Sequence, residues 1–128
     1  MAEISSYRDL EVWQLGIELV LDCYAITNRL PPDERFGLTA QARRAAVSIP
    51  SNVAEGHNRR SPNSNNAYRN HVSIALGSTG ELDTHFEIAL GLGYLRSVEL
   101  AAASQKLGRV GQMLRRLQQS LERPRGSV

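Results

Sequence analysis

The sequence predicts an all-α protein, an antiparallel up-and-down four-helix bundle, and three observations carry that prediction. Apolar residues recur at spacings of three and four through four long segments. Short breaks rich in Pro, Gly, Asn and Ser separate those segments. No segment alternates with the period of two that a half-buried strand shows. Four long helices on short connections favour antiparallel neighbours, and 128 residues suffice for one such domain. The domain is expected to span residues 1–122, with 123–128 a flexible C-terminal tail.

The first helix is expected over about residues 7–29. Ser6 with Asp9 three residues on is a capping-box-like start. Two apolar stripes share this helix. Leu10, Trp13, Ile17, Val20 and Tyr24 form one; Val12, Leu15, Leu19, Cys23 and Ile26 form the other, rotated by roughly 160° at about 100° per residue. A bundle subunit needs only one such face on each helix, so the second requires a further neighbour. Val12, Leu15 and Leu19 are therefore assigned to an oligomer interface.

Pro31-Pro32 stops the first helix, and Asp33-Glu34 open a second over about residues 34–57. Leu38, Ala42, Ala45, Ile49 and Val53 form its core stripe, while Ala40, Ala46 and Ala54 keep its surface slim. Pro50 removes one amide donor but leaves the apolar period intact, which predicts a kinked helix and not a broken one. Residues 57–65 read as a turn, with Ser64 or Asn65 as the next N-cap. The third helix, about 65–91, carries Tyr68, Val72, Ala75, Thr79, Leu82, Phe86 and Ala89 on one face, and Gly91 and Gly93 end it. Gly77 and Gly80 inside it suggest a close helix crossing, since each weakens a helix by about 1 kcal/mol relative to alanine. Ser97 caps the fourth helix, about 97–122, where Leu100, Leu107, Leu114 and Leu121 repeat every seven residues with Ala103, Val110 and Leu117 between them.

Net charge is only +2, but it is segregated. Residues 1–34 are acidic, through Glu3, Asp9, Glu11, Glu18, Asp22, Asp33 and Glu34. Residues 43–69 and 106–125 are basic, and every basic residue except Lys106 is arginine. Two readings follow. Arg43, Arg44, Arg59, Arg60, Arg69, Lys106, Arg109, Arg115 and Arg116 are candidate phosphate contacts for RNA or DNA, or they pair with the acids of the first helix within or between subunits. Aromatic residues for stacking on single strands are few, so nucleic-acid contact would be to phosphates and poor in sequence preference. The lone Cys23 lies in an apolar helical pattern and reads as a buried, unreactive thiol. No apolar run reaches the roughly 18 residues of a membrane span, and no secretory signal opens the chain, so a cytoplasmic location is expected.

Catalytic and metal chemistry finds no pattern. His57, His71 and His85 recur every fourteen residues, but fourteen helical residues separate His71 from His85 by roughly 21 Å, too far to share an ion. Solvated or interhelical hydrogen-bonding roles are expected for them. A di-metal carboxylate bundle needs paired Glu-x-x-His motifs, and none occurs. The Gly77 and Gly91 clusters do not follow a strand, as a phosphate loop or a dinucleotide fingerprint would. No catalytic residue, cofactor or metal is expected.

Several runs together resemble a known family. Residues 7–13 read Tyr-Arg-Asp-Leu-Glu-Val-Trp, and residues 30–38 Leu-Pro-Pro-Asp-Glu-Arg-Phe-Gly-Leu. Residues 41–56 contain Ser-Ile-Pro-Ser-Asn-Val-Ala-Glu-Gly, followed by Gly-Ser-Thr-Gly-Glu-Leu at 77–82 and Leu-Gly-Tyr-Leu at 92–95. Over about residues 7–118 the chain resembles the bacterial 23S ribosomal RNA intervening-sequence proteins. It is also similar to the accessory proteins of diversity-generating retroelements. The resemblance implies a four-helix bundle assembled as a ring-like homopentamer, with no enzyme activity. It also implies nucleic-acid binding of the kind those strongly basic accessory proteins show, from which a net charge of +2 is a departure. Within the shared runs, Asn52, Glu55 and Glu81 lie beside core stripes and are expected to form a structural polar motif, with Arg43 or Arg44 answering one of the acids. The expected function is a non-enzymatic oligomeric bundle with arginine-rich nucleic-acid surfaces. The alternative is a structural or protein-interaction module.

Overall fold

The structure is a computed structural model that describes residues 4–122, so the expected tail at 123–128 lies outside the described residues. Four helices make up the fold: α1 (Glu11–Thr27), α2 (Leu38–Asn58), α3 (Asn66–Gly91) and α4 (Ser97–Leu121). Each packs on its two neighbours in the ring α1–α2–α3–α4–α1. Rising numbers on one helix meet falling numbers on the next. Thr27 meets Arg43 while Gly16 lies against Pro50, and Ser78 bonds Ser48 while His71 bonds Asn52. Likewise Ser73 bonds Gln118 while Asn65 bonds the Leu121 carbonyl, and Arg29 pairs with Glu99 while Arg109 pairs with Glu11.

The helix ends differ in detail from the sequence expectation, for local reasons. Ser6 and Asp9 do form a reciprocal capping box, but it closes a 3-10 turn at Tyr7–Asp9, and extended Leu10 separates that turn from α1. Pro32–Glu34 is likewise a 3-10 turn, so α2 begins later than expected. Glu34 serves both sides of that junction. Its Oε1 accepts from the Leu38 amide at 3.1 Å, and its Oε2 accepts from the Tyr94 hydroxyl at 3.0 Å. Gly37 leaves room for this carboxylate, because a Cβ there would lie 2.8 Å from Glu34 Oε1. α2 then continues as one helix across Pro50. At the end of α3, Gly93 takes a left-handed φ of 77°, and the amides of Gly93 and Tyr94 bond the carbonyls of Leu90 and Ala89. That is a Schellman stop, for which glycine is the least strained residue. Gly91 remains helical.

The expected stripes of α2, α3 and α4 line one shared core that includes Ile49, Val53, Val72, Leu82, Val110 and Leu114, all fully buried. α1 requires a correction. Val12, Leu15 and Leu19, expected at an oligomer interface, face the core with exposures of 7%, 7% and 0%. The other stripe of Leu10, Trp13, Ile17, Val20 and Tyr24 stays partly or wholly exposed. The inward face also carries Gly16 and Cys23, whose small size lets α1 lie close on α2; a Cβ on Gly16 would meet Pro50 Cβ at 3.4 Å. Burial raises the Cys23 thiol to about 11.

The glycine expectation is also corrected. A Cβ at Gly77 or Gly80 would meet nothing within 4 Å, so neither marks a crossing inside the subunit. The tight crossing is at Gly56, where a Cβ would lie 2.8 Å from His71 Cβ and 2.9 Å from Tyr68 Cδ1. Gly56→Ala is therefore expected to destabilise the fold by about 1–3 kcal/mol despite its better helix propensity. Gly108→Ala, in open space on α4, is expected to stabilise it by up to about 1 kcal/mol. Urea denaturation of the two variants checks the contrast. On the same assay Leu19→Ala should lose about 2–5 kcal/mol, the cost of a core cavity and more than a surface position shows.

Candidate functional site

The polar motif of α2 forms the seam with α3. Asn52 Nδ2 donates to the Ser48 carbonyl at 2.8 Å and to Ser48 Oγ at 3.0 Å, while Asn52 Oδ1 meets His71 Nδ1 at 2.9 Å. Since Oδ1 only accepts, His71 carries a proton on Nδ1 in this bond. Ser78 Oγ of α3 donates to Ser48 Oγ at 2.8 Å. Glu55 Oε2 lies 4.0 Å from His71 Nδ1, and its Oε1 accepts from Arg59 at 2.9 Å. Asn52 and Glu55 thus belong to one network, whereas Glu81 is exposed on α3. The expected arginine partners are corrected too. Arg59, one turn on in the same helix, answers Glu55; Arg43 reaches α1 instead, and Arg44 is exposed.

Two histidines, expected in solvated or interhelical hydrogen-bonding roles, are interior. His57 and His85 are buried, and neither Nδ1 has a hydrogen-bond partner among the described residues. The His57 ring stands edge-on to Tyr68, with centroids 6.0 Å apart. Burial, with the Arg60 charge as a smaller cause, holds the His57 pKa below its ordinary value. Apolar spacing placed His57 one turn after Val53, which was the available signal.

The structure does not gather the nine candidate basic residues into one surface. Lys106 bonds Asp22 at 2.8 Å and approaches Glu18 at 3.8 Å, and Arg109 reaches Glu11 at 3.4 Å, all across the α1–α4 seam. The Asp22 bond raises the Lys106 pKa. Arg43 donates to Thr27 Oγ1 and Asn28 Oδ1, both at 2.9 Å, and lies 4.5 Å above the Tyr24 ring. Arg60 Nε donates to the His57 carbonyl at 2.8 Å. Arg44, Arg69, Arg115 and Arg116 are exposed and form no ion pair among the described residues.

A different surface feature stands out along α1 and α2. Trp13, Ile17 and Val20 face Val47, Pro50 and Ala54 across an open trough, and the Tyr7 ring meets Trp13 at a tilt of 60°, with centroids 5.3 Å apart. Val47 continues it into a second depression, walled by Tyr24 and Phe36 and rimmed by Arg35, Arg43 and Arg44. Phe36 is 86% exposed and Leu21 of α1 64%. Among the described residues no three His, Cys, Asp or Glu side chains group as a metal site would. No described helix is long and apolar enough to cross a membrane.

Residues 8–116 match the 23S rRNA-intervening sequence protein family. The chain belongs to that family. A crystal structure described as a protein with unknown function from the S23 ribosomal protein family of Bacteroides thetaiotaomicron VPI-5482 shares the fold. Its TM-score is 0.75 over 84% of this chain and 97% of that chain, at 18% identity. No curated protein matches the sequence.

In this member of the 23S rRNA-intervening sequence family, Ser48 and Asn52 of the run Ser48–Gly56 bond across the seam to Ser78 and His71, while Pro50, Ser51 and Ala54 of the same run line the trough beside α1. His57 at the end of that run is expected to make the seam sensitive to acid. The unfolded chain binds a proton near the ordinary histidine value of 6.5, whereas the native chain resists it, so stability present above that pH falls below it. Unfolding free energy is expected to drop between pH 7.5 and 5.5, with a shallower drop in His57→Gln. An unchanged slope in that variant would place the titrating proton elsewhere.

Proposed function

We propose that the chain is a non-catalytic, self-associating helical bundle, a protein-interaction module whose copies assemble into a homo-oligomer. One observation carries this reading: α1 has two apolar stripes, its own core buries one, and the other stays half-exposed, with Trp13, Ile17 and Val20 walling an open trough and Tyr24 the depression beyond it. Exposed aromatic and aliphatic groups in one contiguous patch are what protein interfaces bury. The charge pattern supports it as well. Much of the segregated charge is used inside the subunit, where basic α4 pairs with acidic α1 through Lys106 and Arg109. The ring-like homopentamer implied by the resemblance is the assembly this reading adopts.

Nucleic-acid contact is the second reading, and exposed Arg69, Arg115 and Arg116 favour it, since no acid among the described residues engages them. Light scattering on a sizing column, read at 280 and 260 nm, tests both. The assembly reading expects a mass that is a multiple of 14.1 kDa, five for a pentamer, with the absorbance ratio of bare protein. A monomer at 14.1 kDa would overturn it. Structured RNA is expected to show no band shift at 50 mM salt, where phosphate contacts are strongest. A shift that Arg115→Glu/Arg116→Glu abolishes would establish the second reading instead.

A further inference from the structure

Given self-association, the remaining question is which surface fills the trough. We infer that α3 of a second copy does, its outer face seated between α1 and α2 of the first; this rests on the assembly reading above. The trough is apolar along its floor, with Trp13, Ile17, Val20 and Val47, and basic at one end, with Arg35 and Arg44. Arg44 has no ion pair among the described residues, and Arg35 has only the Phe36 ring, 5.2 Å from its guanidinium. A complementary occupant is elongated, with apolar side chains for the floor and an acid for the arginines.

The outer face of α3 offers an isoleucine at each end and an acid between them. Ile74, Gly77, Glu81, Thr84 and Ile88 follow one another at spacings of three and four on the side turned away from the core. Ile74 and Ile88 are 44% and 43% exposed. Glu81 is exposed on this face and Glu87 on its flank, and neither forms an ion pair among the described residues. The acids of one copy and the arginines of the next are each without a partner until the copies meet. The open space around Gly77 is consistent with this seat, because a helix thinned there lies deeper in a trough.

The contact is heterologous, trough to helix face, so each copy offers both halves. Charge reversal with rescue tests it, at positions exposed enough to spare the fold, which matching urea midpoints confirm. Arg35→Glu/Arg44→Glu and Glu81→Arg/Glu87→Arg are each expected to weaken self-association at least tenfold, since like charges then face each other. All four changes in one chain are expected to restore the native mass. If wild type is oligomeric and both reversed pairs leave its mass unchanged, other faces hold the copies and this inference falls while the assembly reading stands. If both pairs dissociate the oligomer but the combined chain stays dissociated, the pairing is wrong. If wild type runs at 14.1 kDa, the assembly reading and this inference fall together.

Discussion

The close approach of α2 to α3 at Gly56 is the constraint on which the rest of the bundle hangs. With no Cβ at that position, the α2 backbone lies against Tyr68 and the stem of His71. That proximity brings Asn52 within bonding range of His71 and Ser48 within range of Ser78, two polar links across one seam. It also closes the space over His57, which is buried against the Tyr68 edge. On the flank of α2 turned to α1, Pro50 and Ile49 receive Gly16. α2 is thus clasped on two flanks by close contacts, each made possible by a residue without a side chain.

The α1–α4 seam is held differently. Lys106, Arg109 and Glu99 on α4 meet Asp22, Glu18 and Glu11 on α1 and Arg29 just after it, around the edge of an aliphatic contact. Half-exposed pairs of this kind add little stability individually, roughly 0–1 kcal/mol. They do exclude alternatives. A shifted α4 would set Lys106 or Arg109 beside apolar surface, so the pairs hold register while Leu100, Leu107 and Leu114 supply the burial. Glu99 is held in its charged form by the Arg96 amide and by Arg29, which anchors the start of α4 to the end of α1.

Much of the fold was legible in the sequence because helical period, caps and glycine stops are local. The stripes of α2, α3 and α4 point inward as their spacing predicts, and Gly93 ends α3 by the conformation glycine favours. The reversal of α1 had a physical cause. Periodicity defines two faces of a helix but not which faces inward, and here both are apolar. The smaller residues, Gly16 and Cys23, carried the missing signal, since a helix must present a thin side to lie close on another. The site was less legible. Asn52 and Glu55 were recognisable as a polar motif beside a core stripe, but their partners His71 and Ser78 lie on another helix, and only the crossing at Gly56 selects them. Glu81 belongs to the same motif in sequence and to a different surface in space. Arg43 likewise stood apart from its partners until α1 and α2 were set in register.

Which residues Arg43 engages bears on what the trough can do. By bonding Thr27 and Asn28 and lying over Tyr24, it ties the end of α1 to α2 and fixes the Tyr24 ring as a wall. Tyr7 does the same for Trp13 at the other end. A trough with both end walls held in place loses little side-chain freedom when filled, which favours association over a mobile apolar patch of equal area. Its position matters as much. The trough lies between α1 and α2, whereas the exposed face of α3 lies beyond α2 on the same subunit, so the two halves of the inferred contact are neither one patch nor opposite poles. A single self-complementary patch yields a twofold dimer, and opposed patches stack copies in a straight row. Patches set at an angle turn each copy relative to the last, and a repeated turn about one axis is what closes a ring.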